Sequence, residues 1–203
     1  MSALFDMDAD PGQTTDAAAQ QPEIAAKLRA AVAAWREEVL PKGTDERPYP
    51  VGYAEFPVTP LPARDGVPHG GVQRSAPTPN CSYFVKWKTP ADSMTWDIEV
   101  NTTGAYAVAI DYTCADAGST VELAFNGSRL SGKVAPAWDP PLITGEDRVP
   151  RKGESLMKEF HRLELGEMRL EKGRGPLTLR ALEIPGASVM DVRRVTLTLR
   201  PHP

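Results

Sequence analysis

From residue 81 onward the chain consists of short runs in which apolar and polar residues alternate, and a period of two commits the backbone to β-structure. Val195, Leu197 and Leu199 fall on one face with Thr196, Thr198 and Arg200 on the other, and Val121, Leu123 and Phe125 repeat the pattern. Strands are expected at Tyr83–Lys88, Thr95–Val100, Ala105–Thr113, Ser119–Asn126, Arg129–Val134, Met157–Leu165, Met168–Glu171, Leu177–Ile184 and Val192–Arg200. Asn126-Gly127 stands between two of these runs, and the tightest hairpin turns need positive φ at both central residues. Short strands separated by Gly-rich turns predict a mainly β domain over residues 80–203, an antiparallel β-sandwich of jelly-roll type.

The chain ahead of this region is of two kinds. Residues 1–40 read as a short strand, Ala3 to Met7, a polar turn, and one amphipathic helix. Pro22 suits a first helical turn, and Ile24, Leu28, Val32, Trp35 and Val39 recur on one face. One helix and one short strand cannot bury that face alone, so the segment is expected to be an incomplete domain. Residues 41–79 hold nine prolines and five glycines and show no sustained period, which predicts a linker. Its stretch PYPVGYAEFPVTPLP is too apolar for a free tether and is expected to run extended along a neighbouring surface, near polyproline II geometry. The whole chain's 20 prolines and 16 glycines argue against a helical bundle for the same reason.

Charge narrows the partners. The 23 Lys and Arg against 27 Asp and Glu leave a net charge of −4, whereas a nucleic-acid partner calls for a basic surplus. The deficit sits in residues 1–40, with seven acids against three bases. No apolar run has the length of a membrane helix, and the acidic N-terminus MSALFDMDAD is unlike a signal peptide.

Familiar catalytic and metal-binding patterns fail one by one. Cys81 and Cys114 form no close pair of the zinc or dithiol type, and their spacing is compatible with free thiols or with a disulfide between them. Asp6, Asp8 and Asp10 alternate as in a calcium loop, but Pro11 stands where that loop turns on glycine and Ala17 where it ends on Glu, so an acidic turn is expected. His69, His161 and His202 have no metal spacing, and no GxSxG, P-loop or GxGxxG occurs.

Binding chemistry is better represented. Trp87 and Trp96 lie inside predicted strands and are expected in the core. Trp138 lies in the long Pro-rich interruption Ala135–Ser155, where it can either stack on a sugar ring or anchor the loop to the sandwich. Arg129 and Lys133, then Arg148, Arg151 and Lys152 in that loop, form a candidate cationic rim for sulfate or carboxylate groups of a polysaccharide, or pair internally with nearby acids.

The stretch ALFDMDADPGQTTDAAAQQPEIAAKLRAAVAAWREEV resembles the C-terminal end of formylglycine-dependent sulfatases. In that family a strand with a Leu-(Tyr/Phe)-Asp-(Leu/Met)-x-x-Asp-Pro-x-(Glu/Gln) signature precedes an Ala- and Leu-rich helix ending near a Trp. Leu4-Phe5-Asp6-Met7, Asp10-Pro11-Gly12-Gln13 and Trp35 fit it, over about 40 of the 203 residues. The remainder is similar to the accessory β-sandwiches of some bacterial sulfatases and to galactose-binding-like carbohydrate modules. The resemblance implies a sulfatase catalytic domain as partner, in cis or in trans, and a periplasmic or extracellular site if the parent is exported. The Met1 start directly before the tail signature suggests a truncated or separate reading frame.

That family's catalytic (Cys/Ser)-x-Pro-x-Arg motif is missing, since Cys81 is followed by Ser-Tyr-Phe-Val and Cys114 by Ala-Asp-Ala-Gly. Formylglycine and Ca²⁺ would belong to the absent catalytic domain, so this chain alone is expected to be inactive on sulfate esters, with no catalytic or metal residue of its own. Two roles remain: a sandwich that supports a sulfatase-like catalytic domain, or a carbohydrate-binding module for a sulfated or acidic polysaccharide.

Overall fold

The computed structural model describes residues 3–40, 46–77, 82–144 and 155–201. The chain divides into two compact units, Met1–Arg47 and Pro48–Pro203.

In the first unit the predicted helix forms as α1, Pro22–Val39, with Pro22 in its first turn. The strand expected at Ala3–Met7 does not form; these residues are coil and turn. The reason is local. Leu4 N donates to Asp16 Oδ1 at 2.9 Å and Leu4 O accepts from Ala17 N at 2.8 Å, so the acidic turn supplies the partners a second strand would have supplied. Asp6 Oδ1 accepts from the backbone of Asp8 and Ala9, and Asp10 from Thr14 and Thr15. The aspartates thus organise the turn. Ala25 is the helix's buried residue, while Ile24, Leu28, Val32, Trp35 and Val39 are all exposed.

The second unit is the expected β-sandwich. The elements are β1 Tyr49–Val51, β2 Val58–Pro62, a 3₁₀ turn Ala63–Asp65, β3 Val67–His69, β4 Gln73–Arg74, β5 Phe84–Val85 and β6 Ser93–Val100. They continue with β7 Gly104–Thr113, β8 Thr120–Phe125, β9 Ser128–Lys133, β10 His161–Leu170, β11 Gly173–Glu183 and β12 Asp191–Leu199. One sheet runs β1-β6-β11-β8-β9 with β3 also on β6; the other runs β10-β7-β12-β5-β4 with β2 also on β12. Pairing is antiparallel except between β1 and β6.

The alternation read from the sequence sets the inner faces. Met94, Trp96, Ile98 and Val100 of β6 meet Tyr106, Val108, Ile110 and Tyr112 of β7 in one buried cluster that also holds Val121, Leu123, Leu177, Leu179, Val195 and Leu197. Trp87 and Trp96 are both in the core. The hairpin turn at Asn126-Gly127 has positive φ at both residues, 42° and 93°. The runs Met157–Leu165 and Met168–Glu171 differ from expectation: they merge into β10, starting at His161, with a bulge between Glu164 and Gly166. Gly166, at φ 135°, absorbs the extra residue that breaks the alternation.

The predicted linker differs most. From Tyr49 to Arg74 it is extended as expected, but the surface it follows is its own sandwich, and it is stitched into both sheets. β1 and β3 share the free edge of β6, and β2 shares the edge of β12 with β5. Proline density and strand pairing are compatible here because these are edge positions. Pro50, Pro60, Pro62 and Pro68 each have an outward side on which no N–H is required.

Candidate functional site

The segment that seals the edges also builds a groove. β1 leaves β6 at Gly52, whose φ of 84° turns the chain against the core; a Cβ there would clash with Tyr106 Oη. A tight turn follows, closed by Phe56 N to Tyr53 O at 3.1 Å, and β2 then runs along β12. Between these arms lies a groove of about 710 Å³, lined by Tyr49, Tyr53, Phe56, Val58, several prolines, Met157, Arg64, Arg193 and Arg194. Tyr53 and Phe56 are 47% and 78% exposed, a large aromatic surface for a turn with no burial to gain from it.

Two adjacent arginines of β12 reach the same groove because the strand is irregular. On a regular strand neighbours point to opposite faces, but the register against β7 shifts between Val192 and Arg194, leaving Arg193 as the extra residue of a bulge. Arg194 Nε donates to Asp111 Oδ2 at 2.5 Å, and Arg162 reaches the other oxygen of that buried carboxylate at 3.6 Å. Arg193 instead lays its guanidinium over the Phe160 ring, 5.5 Å from the centroid, and Phe160 packs edge-on against Tyr83. On the opposite wall Tyr49 Oη donates to Asp65 Oδ2 at 2.7 Å, with Arg64 Nε 3.5 Å from the same oxygen. Burial, and then the Asp65 carboxylate, push the Tyr49 phenol above its ordinary pKa.

The residues singled out from the sequence are placed differently. Trp138 is half-buried and serves as an anchor: its backbone bridges Cys114 in both directions, its Nε1 donates to Glu159 O at 2.8 Å, and its ring lies 5.6 Å from that of His161. His161 in turn meets Tyr112 edge-on, and burial pushes the Tyr112 phenol up to about 12 while its Oη donates to Pro136 O at 2.6 Å. Arg129 pairs with the buried Glu122 at 2.9 Å, a carboxylate it shares with Arg180. Lys133 is exposed at the end of β9. Arg148, Arg151, Lys152 and Cys81 lie outside the described residues. Cys114 is a buried free thiol, raised in pKa by burial.

Beside Trp138, Lys158 Nζ bridges Asp139 Oδ1 at 2.7 Å and Asp191 Oδ2 at 3.4 Å, tying both flanks of the long loop to β12. Burial pushes the Asp191 carboxyl above the ordinary aspartate range despite Lys158. Burial opposes the Lys158 ammonium too, but the bonds to Asp139 and Asp191 outweigh it and hold its pKa up.

The groove residues were missed by sequence reasoning. Their one signal was the apolar content of PYPVGYAEFPVTPLP, which reports that the segment lies on a surface but not which strand it joins. Among the described residues no three His, Cys, Asp or Glu side chains are grouped to hold a metal ion.

No protein-family model and no curated protein matches this sequence. Solved structures do share the sandwich. The Podospora anserina GH26-CBM35 β-(1,4)-mannanase is similar over 72% of this chain at 17% identity with a TM-score of 0.50; this chain spans only 28% of that protein. The mosquito-larvicidal Cry4Aa toxin of Bacillus thuringiensis is similar over 71% of this chain and 24% of its own at 15% identity, with a TM-score of 0.51. A family 35 carbohydrate-binding module from Clostridium thermocellum is covered over 98% of its length and 70% of this chain, at 12% identity and a TM-score of 0.49. The likenesses to the mannanase and to the toxin show a β-sandwich fold held in common.

Proposed function

We propose that the chain is a carbohydrate-binding module whose β1–β2 groove docks a saccharide chain. The observation that carries this reading is the pairing of exposed Tyr53 and Phe56 with arginines in one concave surface. A sugar ring offers apolar C–H faces to an aromatic side chain and hydroxyls to polar groups at its edge, and the groove holds both kinds of partner. The fold alone does not choose this function, since it is shared with a toxin as well as with a mannanase that carries a binding module. The groove chemistry supports it. Trp138 with Arg129, Lys133, Arg148, Arg151 and Lys152 is a second candidate contact, supported by the outward placement of Arg129 and Lys133 on β9.

The test is affinity electrophoresis of the full chain through gels holding neutral and acidic polysaccharides. Retardation by at least one polymer, reduced by Phe56→Ala and Tyr53→Ala, supports the groove; reduction by Trp138→Ala instead moves the contact to the loop. Unretarded migration in every gel rejects the module reading.

A second reading is favoured by one observation. The exposed stripe Ile24, Leu28, Val32, Trp35 and Val39 on α1 is an apolar face that a lone helix does not keep in water. It supports the first unit as the tail of a larger domain, of the sulfatase kind that its sequence resembles, with the sandwich as an appended module. Co-expression with a sulfatase catalytic domain tests it: co-purification that Leu28→Asp abolishes supports the parentage, and independent migration counts against it.

A further inference from the structure

We infer that the groove selects an acidic sugar unit, whose carboxylate or sulfate ester is gripped by Arg193; this rests on the module reading above. The groove's lining contains Arg64, Arg193 and Arg194 but neither Asp nor Glu. The three cations are not equivalent. Arg64 lies against Asp65, and Arg194 is held by the buried Asp111. Arg193 is exposed, and among the described residues its charge is met by the Phe160 ring face alone, with no carboxylate at ion-pair distance.

Stacking and bulge together make Arg193 a built donor. The Phe160 ring lies 5.5 Å from the guanidinium carbon, and the bulge brings Arg193 into the groove's lining next to Arg194. Planar forked donors match a carboxylate or sulfate with two parallel bonds, and charge-assisted bonds are roughly twice as strong as neutral ones. Tyr53 and Phe56 then hold the sugar ring while Arg193 reads its charge. A neutral sugar gains the stacking but leaves the cation unmatched.

The full chain and its Arg193→Gln, Arg193→Lys and Arg169→Gln variants are titrated with polygalacturonate, carrageenan and mannan by calorimetry at low and moderate salt. Arg169 of β10 pairs with Glu171 just beyond the strand, is not among the groove's lining residues, and serves as the charge control. Tighter binding of an acidic polymer than of mannan is expected. Arg193→Gln should weaken it by about tenfold or more, the loss of one charge-assisted contact, while Arg169→Gln leaves it unchanged. Arg193→Lys should retain part of the affinity and guards against misfolding of the Gln variant. Preference for polygalacturonate assigns the anion as carboxylate; preference for carrageenan assigns it as sulfate. Mannan bound as tightly as either acidic polymer, or equal losses in the Arg193 and Arg169 variants, overturns the inference and leaves the module reading intact. No binding to any polymer overturns both.

Discussion

Arg193 and Arg194 are neighbours in sequence and line the same groove, yet one is locked to the buried Asp111 while the other rests on the Phe160 ring. The bulge in β12 makes this possible, and it divides the labour. Arg194 holds β12 to β7 across the sheet, leaving Arg193 for whatever enters the groove.

Asp111 is therefore a structural residue. Asp111→Asn should destabilise the chain by roughly 1–3 kcal/mol, because Arg194 and Arg162 lose their shared partner; both remain partly exposed, which keeps the loss below that of a fully buried pair. Urea denaturation checks this, and a loss under about 0.5 kcal/mol would make the pairing incidental.

Tyr53 and Phe56 should behave in the opposite way. Phe56→Ala removes a side chain with little buried area, so the free energy of unfolding should stay within about 0.5 kcal/mol of the parent while saccharide affinity falls. Parallel melting and affinity measurements separate the two effects.

Gly52 links the groove to the core. Gly52→Ala should cost about 2 kcal/mol or more, since it combines a positive φ with a Cβ placed against Tyr106 Oη, which donates to Thr102 O at 2.6 Å. A Gly52→Ala, Tyr106→Phe double variant should recover part of the loss in the same denaturation assay, the remainder measuring the φ penalty.

Asp92 gives a pH signature. Its carboxylate accepts from Gly71 N at 2.6 Å, Thr89 N at 2.9 Å and Lys88 N at 3.2 Å, and the Gly71 bond leads in holding its pKa below the ordinary aspartate value. A depressed folded pKa means a contribution fully present above the unfolded value, about 3.9, and lost as pH falls through the folded value. The stability gap between the parent and Asp92→Asn should thus be constant near neutrality and close on acidification below about pH 4. A gap that widens on acidification would contradict the assignment.

The β10 region shows how far periodicity reads. Its two alternating runs announce two strands, and the structure has one, because Gly166 at φ 135° admits a bulge that a linear scan takes for a break. The bulge at Arg193 is less legible still. No glycine marks it, and it exists because β12 must stay in register with β7 on both sides of one extra residue.

Trp138 makes the same point for the candidate site. Its position in a Pro-rich loop leaves stacking and anchoring equally open, and the partners that fix its pose, Glu159 O and the Cys114 backbone, are about twenty residues away on either side. The rim cations read from sequence divide likewise, Arg129 being drawn to Glu122 across the β8–β9 hairpin.

The sequence by itself determined the sandwich, its inner faces, the Asn126-Gly127 turn and the helix α1, because each depends on residues within a few positions of one another. Only the tertiary structure decided what the proline-rich segment is for. Prolines exclude it from a sheet's interior but not from its edge, and whether an edge is vacant is a property of strands β6 and β12, far along the chain. Once that segment is seated there, Tyr53, Phe56 and Arg193 come to one groove, an arrangement that no local pattern contains.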